Sequence, residues 1–289
     1  MAKHCMLDIM TACTAKCRYC LHQFNNLTKP QAMSMKDFEA IKSTFTREHW
    51  DYVYMYLSGE PLLHPQYWSM LAEMSRAGIT TNTASKLCFE ISDAHMDYAL
   101  CQLKAPAHFD ITIDAHNQDT QNHISTGIDT EEVYENLKQL ASWLGSKVAV
   151  TVTTVVNRFN APHLKEIQAR VKSCGVASWT SKPMGYYMGY MMTPEDEAMI
   201  VDLAPNRSAR FDVIDGHVRP RMKSCSRFIK PVIGVDGKVT VCCHDMLFRQ
   251  AHWDLLQTNS LDAIVQSKAY RKAIALGKKM KLDICKGCN

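Results

Sequence analysis

Residues 5–20 read CMLDIMTACTAKCRYC and join a short apolar run to a group of three cysteines. The run, residues 5–9, predicts a β-strand. The cysteines after it, Cys13, Cys17 and Cys20, have the spacing C-x3-C-x2-C. Cubane iron–sulfur clusters ordinarily take four cysteine ligands, so a loop with three leaves one iron without a protein ligand. Such an open position is typical of a catalytic metal centre, whereas structural metal sites are closed.

A zinc site is the alternative explanation for this loop. Structural zinc is often held by C-x2–4-C pairs, and Cys17 with Cys20 alone would suit it. The triple spacing is more specific, because three closely spaced thiolates can occupy three corners of one cluster. The remaining iron can then bind a chelating amino acid through its amine and carboxylate groups.

Composition narrows the class of protein. The 289 residues, 46% of them hydrophobic, suit a medium α/β domain with a smaller appendage. The net charge of +4, from 33 basic and 29 acidic residues, gives no case for a nucleic-acid or membrane partner. The longest apolar runs, such as Val148–Val156, fall short of the roughly 20 residues of a membrane helix, and the N-terminus lacks a signal peptide. We therefore expect a cytoplasmic protein.

Twelve cysteines are many for a cytoplasmic chain, and clusters of them indicate metal or catalytic chemistry rather than disulfides. Besides the first group, five lie in the last quarter of the chain: Cys225, Cys242, Cys243, Cys285 and Cys288. The other four are scattered, and we predict that they are small buried hydrophobic residues: Cys5, Cys88, Cys101 and Cys174.

Strand and helix patterns alternate over residues 5–182. The predicted strands are residues 5–9, 52–57, 79–83, 109–114, 148–156 and 178–181. Helices lie between them, the first with Ser34 as its N-cap. About six βα units are too few for a closed eight-unit barrel but enough for a partial (β/α)6 TIM-like barrel. In such barrels the chemistry lies on loops at the carboxyl ends of the strands, where the first cysteine group falls.

A second strand-end loop carries Ser58, Gly59, Glu60 and Pro61. Gly59 permits a close backbone approach, and Glu60 offers an acceptor to an ammonium group. By itself this tetrapeptide is also consistent with an ordinary turn before a helix that begins near Pro65.

Together the two loops resemble motifs of the radical S-adenosylmethionine (SAM) superfamily. Its hallmark is C-x3-C-x-aromatic-C, with Tyr19 at the aromatic position here, and its G-G-E-P motif binds the amino group of SAM. Ser58 replaces the first glycine of that motif. The resemblance implies a catalytic [4Fe–4S] cluster on the three cysteines and SAM contacts from Tyr19, Ser58, Gly59, Glu60 and Pro61.

Two further residues occupy positions where the family often contacts SAM. Asn82 stands where the family often has T-N-G, and Asp114 where it often has S-x-D on the ribose. Both are equally consistent with strand-end caps or turns.

The C-terminal cysteines surround a predicted hairpin. Residues 232–243 carry a strong turn signal, Asp236-Gly237, and a helix is predicted at 260–276 before the final C-x2-C. Four thiolates would close either a [4Fe–4S] cluster or a zinc site. Cys243 shares a strand face with Val239 and Val241, which predicts its burial. The next residues, His244 and Asp245, are predicted to be exposed.

This tail resembles the SPASM and twitch auxiliary-cluster domains of the same superfamily. The resemblance implies an auxiliary [4Fe–4S] cluster on Cys225, one of Cys242 and Cys243, Cys285 and Cys288, with Cys242 at the family's position. We expect a core over residues 1–182, a bridge over 183–219 and the twitch-like domain over 220–289. The bridge includes residues 184–192, rich in Gly, Tyr and Met.

The resemblance also implies the reaction. SAM is cleaved reductively to a 5′-deoxyadenosyl radical, which takes a hydrogen atom from the substrate, with electrons from a donor such as flavodoxin or ferredoxin. Net oxidation of a small molecule such as a sugar or aminocyclitol is the favoured outcome. The alternatives are a peptide- or protein-modifying enzyme (maturase, epimerase or C–C bond former) and a non-enzymatic zinc protein.

Overall fold

The computed structural model describes residues 3–20, 30–89, 93–183, 211–214, 217–220, 230–245, 253–279, 281–282 and 285. Cys225, Cys288 and the 184–192 part of the predicted bridge lie outside these residues. Within them, no helix has both the length and the apolar character needed to cross a membrane.

The strands are His4–Leu7 (β1), Lys16–Cys17 (β2), Tyr52–Tyr54 (β3), Thr80–Ser85 (β4), Ala107–Thr112 (β5), Ser125–Thr126 (β6), Val148–Val156 (β7), Trp179–Pro183 (β8), Phe211–Ile214 (β9), His217–Pro220 (β10), Val232–Ile233 (β11), Lys238–Thr240 (β12) and Trp253–Asp254 (β13). The helices are Met35–Glu48 (α1), Tyr67–Arg76 (α2), Asp93–Cys101 (α3), Gln118–Ile124 (α4), Thr130–Ala141 (α5), Leu164–Ser173 (α6), Leu255–Thr258 (α7), Leu261–Gln266 (α8) and Lys268–Lys278 (α9).

One large sheet organises the chain. Its strand order is β13-β12-β11-β1-β3-β4-β5-β7-β8, and the six strands from β1 to β8 in this order are parallel. Each of these strands follows its neighbour in sequence, and right-handed crossovers then place the connecting helices on the same face. The predicted α/β fold with a partial barrel is thereby confirmed. Within the described residues the two edge strands, β13 and β8, do not pair with each other, so the sheet is not closed.

The two faces of the sheet differ in chemistry. On one face apolar strand residues such as Leu7, Val53 and Phe109 are buried in a core shared with helix residues such as Phe38 and Ile41. The alternate residues point to the opposite side, which we call the inner face and define by six residues: His4, Tyr52, Tyr54, Asn82, His108 and Asp110. A polar inner face opposite a helix-covered core provides a surface on which a polar ligand can bind.

Local signals explain much of this architecture. The predicted N-cap of α1 is confirmed, because the Ser34 hydroxyl accepts the Asp37 N–H at 3.1 Å. The predicted strand 109–114 instead ends at Thr112. Asp114, the last residue of the predicted strand, therefore lies beyond β5. Its carboxylate accepts the Val155 N–H at 2.8 Å, in place of a backbone acceptor.

The C-terminal segments extend the β1 edge of the sheet. Strand β11 pairs parallel to β1, and the predicted hairpin turn to β12 is confirmed, with Gly237 at φ +78°, in the left-handed region. The single helix predicted at 260–276 is wrong, because the backbone of Ser267 is extended and its hydroxyl caps the separate helix α9. An ion pair between Lys3 and Asp262, 2.6 Å long, joins the start of the chain to α8.

Candidate functional site

The first cysteine group lies in the loop after β1. Cys17 is buried within β2, whereas Cys13 and Cys20 are half-buried. Strand β2 pairs antiparallel with β6, and the Arg18 N–H donates to the Ile124 carbonyl at 3.1 Å. This pairing with residues more than a hundred positions away fixes the loop at the carboxyl edge of the parallel strands.

The loop after β3 packs directly on the cysteine loop. A Cβ atom at Gly59 would lie 2.4 Å from the Met10 carbonyl oxygen and 2.5 Å from that of Ala12, so only glycine fits. The Glu60 N–H donates to the same Ala12 carbonyl at 2.7 Å. Burial, followed by the nearby Glu60 carboxylate, raises the pKa of the Cys13 thiol to about 12. The acidic side chain and the first cysteine are thus neighbours.

The Glu60 carboxylate is buried and partly satisfied. It accepts the Lys86 N–H at 2.9 Å and the Leu62 N–H at 3.3 Å, and it caps the short 3₁₀ helix Pro61–Leu63. Burial raises the pKa of Glu60 to about 7, although these hydrogen bonds lower it. A carboxylate has about four acceptor positions, so Glu60 can accept further donors.

The other residues of this tetrapeptide have structural partners. The Ser58 hydroxyl donates to the carboxylate of Asp8, which is fully buried, and burial raises the pKa of Asp8 to about 7. Pro61 is buried at the start of the 3₁₀ helix. Contacts of Ser58 and Pro61 with SAM remain predictions.

A buried charge cluster lies at the same edge. The Tyr19 hydroxyl donates to the Asp114 carboxylate, and the Lys86 Nζ atom lies 2.5 Å from Oδ2 of Asp114 and 3.2 Å from the Tyr19 hydroxyl. Burial lowers the pKa of Lys86, but Asp114 and Tyr19 more than offset this and raise it well above its usual value. The structure therefore brings the predicted residues Tyr19 and Asp114 together.

Sequence reasoning missed Lys86. The only signal for it was its position three residues after the predicted strand 79–83, whereas the observed strand β4 extends to Ser85, directly before it. The predicted contact Asn82 is not part of this group. Asn82 lies in the middle of β4, and its amide nitrogen donates to the Asp110 carboxylate at 3.0 Å.

A fourth thiol also lies beside the cysteine loop. The sulfur atom of Cys88 is 3.5 Å from the Thr14 hydroxyl, and Asn136 holds the two flanking carbonyls, of Leu87 at 2.9 Å and of Phe89 at 2.6 Å. Burial of Cys88, like that of Cys5 and Cys174, was predicted and is confirmed. The same prediction is wrong for Cys101, which is exposed.

Among the described C-terminal cysteines, Cys243 departs from the predicted pattern. Cys242 is buried and accepts the His244 N–H at 3.4 Å, whereas Cys243 is only half-buried. The predicted burial of Cys243 is wrong because β12 ends at Thr240, and strand alternation stops at the turn that follows.

Further along this turn, Asp245 is not exposed as predicted. It is 1% exposed, and its carboxylate accepts the Thr240 hydroxyl at 2.9 Å, while His244 is half-buried. Cys285 is buried.

The donor set fits a cluster better than a single ion. Within the described ranges, no three His, Cys, Asp or Glu side chains converge closely enough to hold one metal ion. A cubane binds its cysteines at separate corners, so its ligands need not converge on one point. Three thiols on one loop, with the Glu60 loop locked beside them, suit such a cluster and a ligand on its fourth iron.

Family models match both parts of the chain. The model of the radical SAM superfamily matches residues 7–170, more than half of the chain. The SPASM model, an iron–sulfur cluster-binding domain, matches residues 225–289. A comparison with curated protein sequences gave no match.

Solved structures share the fold at low sequence identity. Native anSMEcpe with bound AdoMet is 16% identical, with a TM-score of 0.68 over 96% of this chain and 84% of that one. BtrN in complex with AdoMet and 2-DOIA is 12% identical, with a TM-score of 0.60 over 99% and 92%. Streptococcus suis SuiB bound to the precursor peptide SuiA is 12% identical, with a TM-score of 0.68 over 94% and 66%.

These matches agree with the geometry of the strand-end loops. The superfamily model spans the cysteine loop, the Glu60 loop and the Tyr19–Asp114–Lys86 cluster. The chain belongs to the radical SAM superfamily and carries a C-terminal SPASM iron–sulfur domain.

Proposed function

We propose that this radical SAM enzyme is an oxidoreductase that dehydrogenates a small hydroxyl-bearing molecule, such as a sugar or aminocyclitol. Its cofactors are SAM and a [4Fe–4S] cluster in each of its two domains. The observation that carries the proposal is the locked contact between the three-cysteine loop and the Glu60 loop through Gly59. This contact places three thiols and one buried carboxylate at the same edge of the sheet.

Each part of this edge has a separate role in the proposal. Cys13, Cys17 and Cys20 hold the catalytic cluster, which when bound supplies the electron that cleaves SAM and so starts the radical reaction. Glu60 accepts the ammonium group of SAM, because it is a buried acceptor beside Cys13. Asp114 binds the ribose, and Tyr19 lines the same site.

The surroundings of Cys243, which directly follows the proposed cluster ligand Cys242, support net oxidation. Burial raises the pKa of the Tyr56 hydroxyl, and Asp110, Tyr54 and Cys243 raise it further, in that order. Cys243 is therefore close to Tyr56. Tyr56 lies two residues beyond the end of β3, with its ring centroid 6.0 Å from that of Tyr54, and is thus close both to the inner face and to Cys243. An auxiliary cluster there would be near a substrate on the inner face, so that it could accept the electron left after hydrogen abstraction. The extensive overlap with BtrN, over 99% of this chain, agrees with a small substrate.

Peptide modification is the second candidate. It is supported by the fold shared with SuiB, which is bound to a precursor peptide, and with anSMEcpe, of which a structure holds the Kp18Cys peptide. In both proposals the enzyme works in the cytoplasm and receives electrons from a low-potential donor such as flavodoxin or ferredoxin.

The mass of the product separates the two candidates from each other and from redox-neutral chemistry. Incubation of the anaerobic, cluster-loaded enzyme with SAM, reductant and a panel of cyclitols, amino sugars and peptides should convert a small molecule to a product lighter by two hydrogen atoms. The measurement is high-resolution mass spectrometry. A product of unchanged mass, or modification of a peptide alone, would refute small-molecule dehydrogenation.

Cys17→Ala should abolish formation of 5′-deoxyadenosine, because two thiols cannot hold the catalytic cluster. Cys101→Ala is the matched control, since Cys101 is an exposed cysteine outside both groups, and it should retain wild-type cleavage. Chromatographic quantification of 5′-deoxyadenosine gives the result. Undiminished cleavage by Cys17→Ala would disprove the assignment of the first loop.

Binding of SAM should depend on the ionisation of Glu60. Burial raises the pKa of Glu60 to about 7, so its carboxylate gains charge, and attraction for an ammonium group, as the pH rises from 6 to 7.5. SAM should therefore bind more tightly at pH 7.5. In Glu60→Gln binding should weaken by about 10-fold or more at pH 7.5 and lose this pH dependence. Equilibrium dialysis measures both, and identical pH profiles for the two proteins would rule out this role.

Cys242 rather than Cys243 should bind the auxiliary cluster. Cys242 is buried and receives a backbone N–H, an environment that stabilises a thiolate ligand, whereas Cys243 is half-buried. Cys242→Ser should lose about half of the iron and sulfide, and Cys243→Ser should retain both. Metal and sulfide analysis after anaerobic reconstitution decides between them, and the reverse pattern would assign the ligand to Cys243.

A further inference from the structure

We propose that Asp110 and Asn82, on the inner face of the sheet, bind a primary ammonium group of the substrate. The inference deepens the proposed function, on which it rests, by naming a chemical group that the substrate carries. It also gives Asn82 a different role from the SAM contact suggested by its sequence position.

The two residues are neighbours on adjacent strands. The register pairs Asn82 with His108 and Ala84 with Asp110, so that Asn82 and Asp110 lie diagonally on the same face. Their side chains are joined by the 3.0 Å hydrogen bond from Nδ2 of Asn82 to Oδ2 of Asp110. Asn82 lies three residues before Ser85, the end of β4, which places it about 10 Å along the strand from the edge that carries Glu60. A group bound here is separate from the ammonium of SAM.

The Asn82 side chain has an unused acceptor. Asn82 is only 6% exposed, and among the described residues its Oδ1 atom has no hydrogen-bond partner. The orientation of the amide follows from its neighbour, because a flipped amide would place two acceptors, Oδ1 and the Asp110 carboxylate, against each other. A buried acceptor without a donor carries a desolvation cost that no hydrogen bond offsets. A bound group that donates to Oδ1 removes that cost.

The charge of the site favours a cation. Within the part of the chain that the structure describes, no basic side chain forms an ion pair with Asp110. Asp110 lies near the hydroxyl groups of Tyr52 and Tyr56. Burial is the main cause that raises the pKa of both hydroxyls, and Asp110 is among the charged groups that raise it further. A primary ammonium neutralises the carboxylate and has three N–H donors, enough for both Asp110 and Oδ1 of Asn82.

The aromatic side chains of the inner face suit the same group. Tyr52 and Tyr54 lie with ring centroids 4.9 Å apart, and the ammonium of Lys230 lies 3.4 Å from the centroid of Tyr54. The chain's own ammonium thus already contacts this face through a cation–π interaction. A neutral hydroxyl group could donate to one acceptor, but it would leave the carboxylate without a compensating charge.

Two sources could supply the ammonium: an aminocyclitol or amino sugar, and a lysine side chain of a peptide. Each source gives a matched pair of probes. The first pair is an aminocyclitol and the cyclitol with a hydroxyl in place of the amine. The second pair is an acetylated peptide with lysine and the same peptide with norleucine.

The test is anaerobic calorimetric titration of each probe into the cluster-loaded enzyme with SAM. In the wild-type protein at least one amine should bind about 10-fold or more tightly than its amine-free partner, as expected for a charge-assisted hydrogen bond. The pair that shows this preference identifies the source. Asp110→Asn should bring the preference to within about 2-fold, and Asn82→Leu should reduce it.

Two controls separate recognition from folding. Thr151→Val changes the β7 residue paired with Asp110 and should retain the preference for the amine. The iron content and the thermal unfolding midpoint of each variant show whether it is folded. If Asp110→Asn does not fold, Asp110→Glu takes its place and should keep the preference for the amine, while Asn82→Leu should reduce it.

Retention of the amine preference in Asp110→Asn, or in Asn82→Leu if Asp110→Asn does not fold, would overturn the proposal. So would the absence of any preference for the amine in both wild-type pairs. Because the assay measures binding, its outcome is independent of whether SAM is cleaved or the product is oxidised, which are the readouts of the proposed function.

Discussion

The site depends on one close approach, between Gly59 and the backbone of residues 10–12. A Cβ atom at position 59 would come within 2.4–2.6 Å of three backbone atoms, so the contact excludes every other amino acid. It joins the loops after β1 and β3, which are adjacent parallel strands. The carboxyl ends of parallel strands share one edge of the sheet, and this contact holds the cysteine loop and the Glu60 carboxylate together there.

Three buried carboxylates at this edge are stabilised in different ways. Lys86 and Tyr19 compensate the charge of Asp114, whereas backbone N–H groups hold Glu60 and the Ser58 hydroxyl holds Asp8. An isolated buried charge is costly, and hydrogen bonds from neutral donors compensate it less than an ion pair does. Burial raises the pKa values of Asp8 and Glu60 to about 7, although their hydrogen bonds lower them. The edge thus contains carboxyl groups ready to respond to a cationic ligand.

The C-terminal part completes the same sheet instead of standing apart from it. Strand β11 pairs with β1, and the Lys3–Asp262 ion pair links the tail to the beginning of the chain. As a result Cys243 lies near Tyr56, on the side of the sheet that carries Asp110. The C-terminal part thereby brings one of its cysteines, Cys243, close to a residue that follows β3.

Local sequence determined the order of strands and helices, the Ser34 cap, the Asp236-Gly237 turn and the spacing of the first cysteines. These features depend on periodicity and on residues only a few positions apart. Tertiary structure alone decided that Lys86 joins Tyr19 and Asp114, that Cys88 adjoins Thr14, that Cys242 is buried more deeply than Cys243, and that Asn82 pairs with Asp110. Strand register and the ends of strands set these contacts, and both arise from hydrogen bonds between segments far apart in the chain.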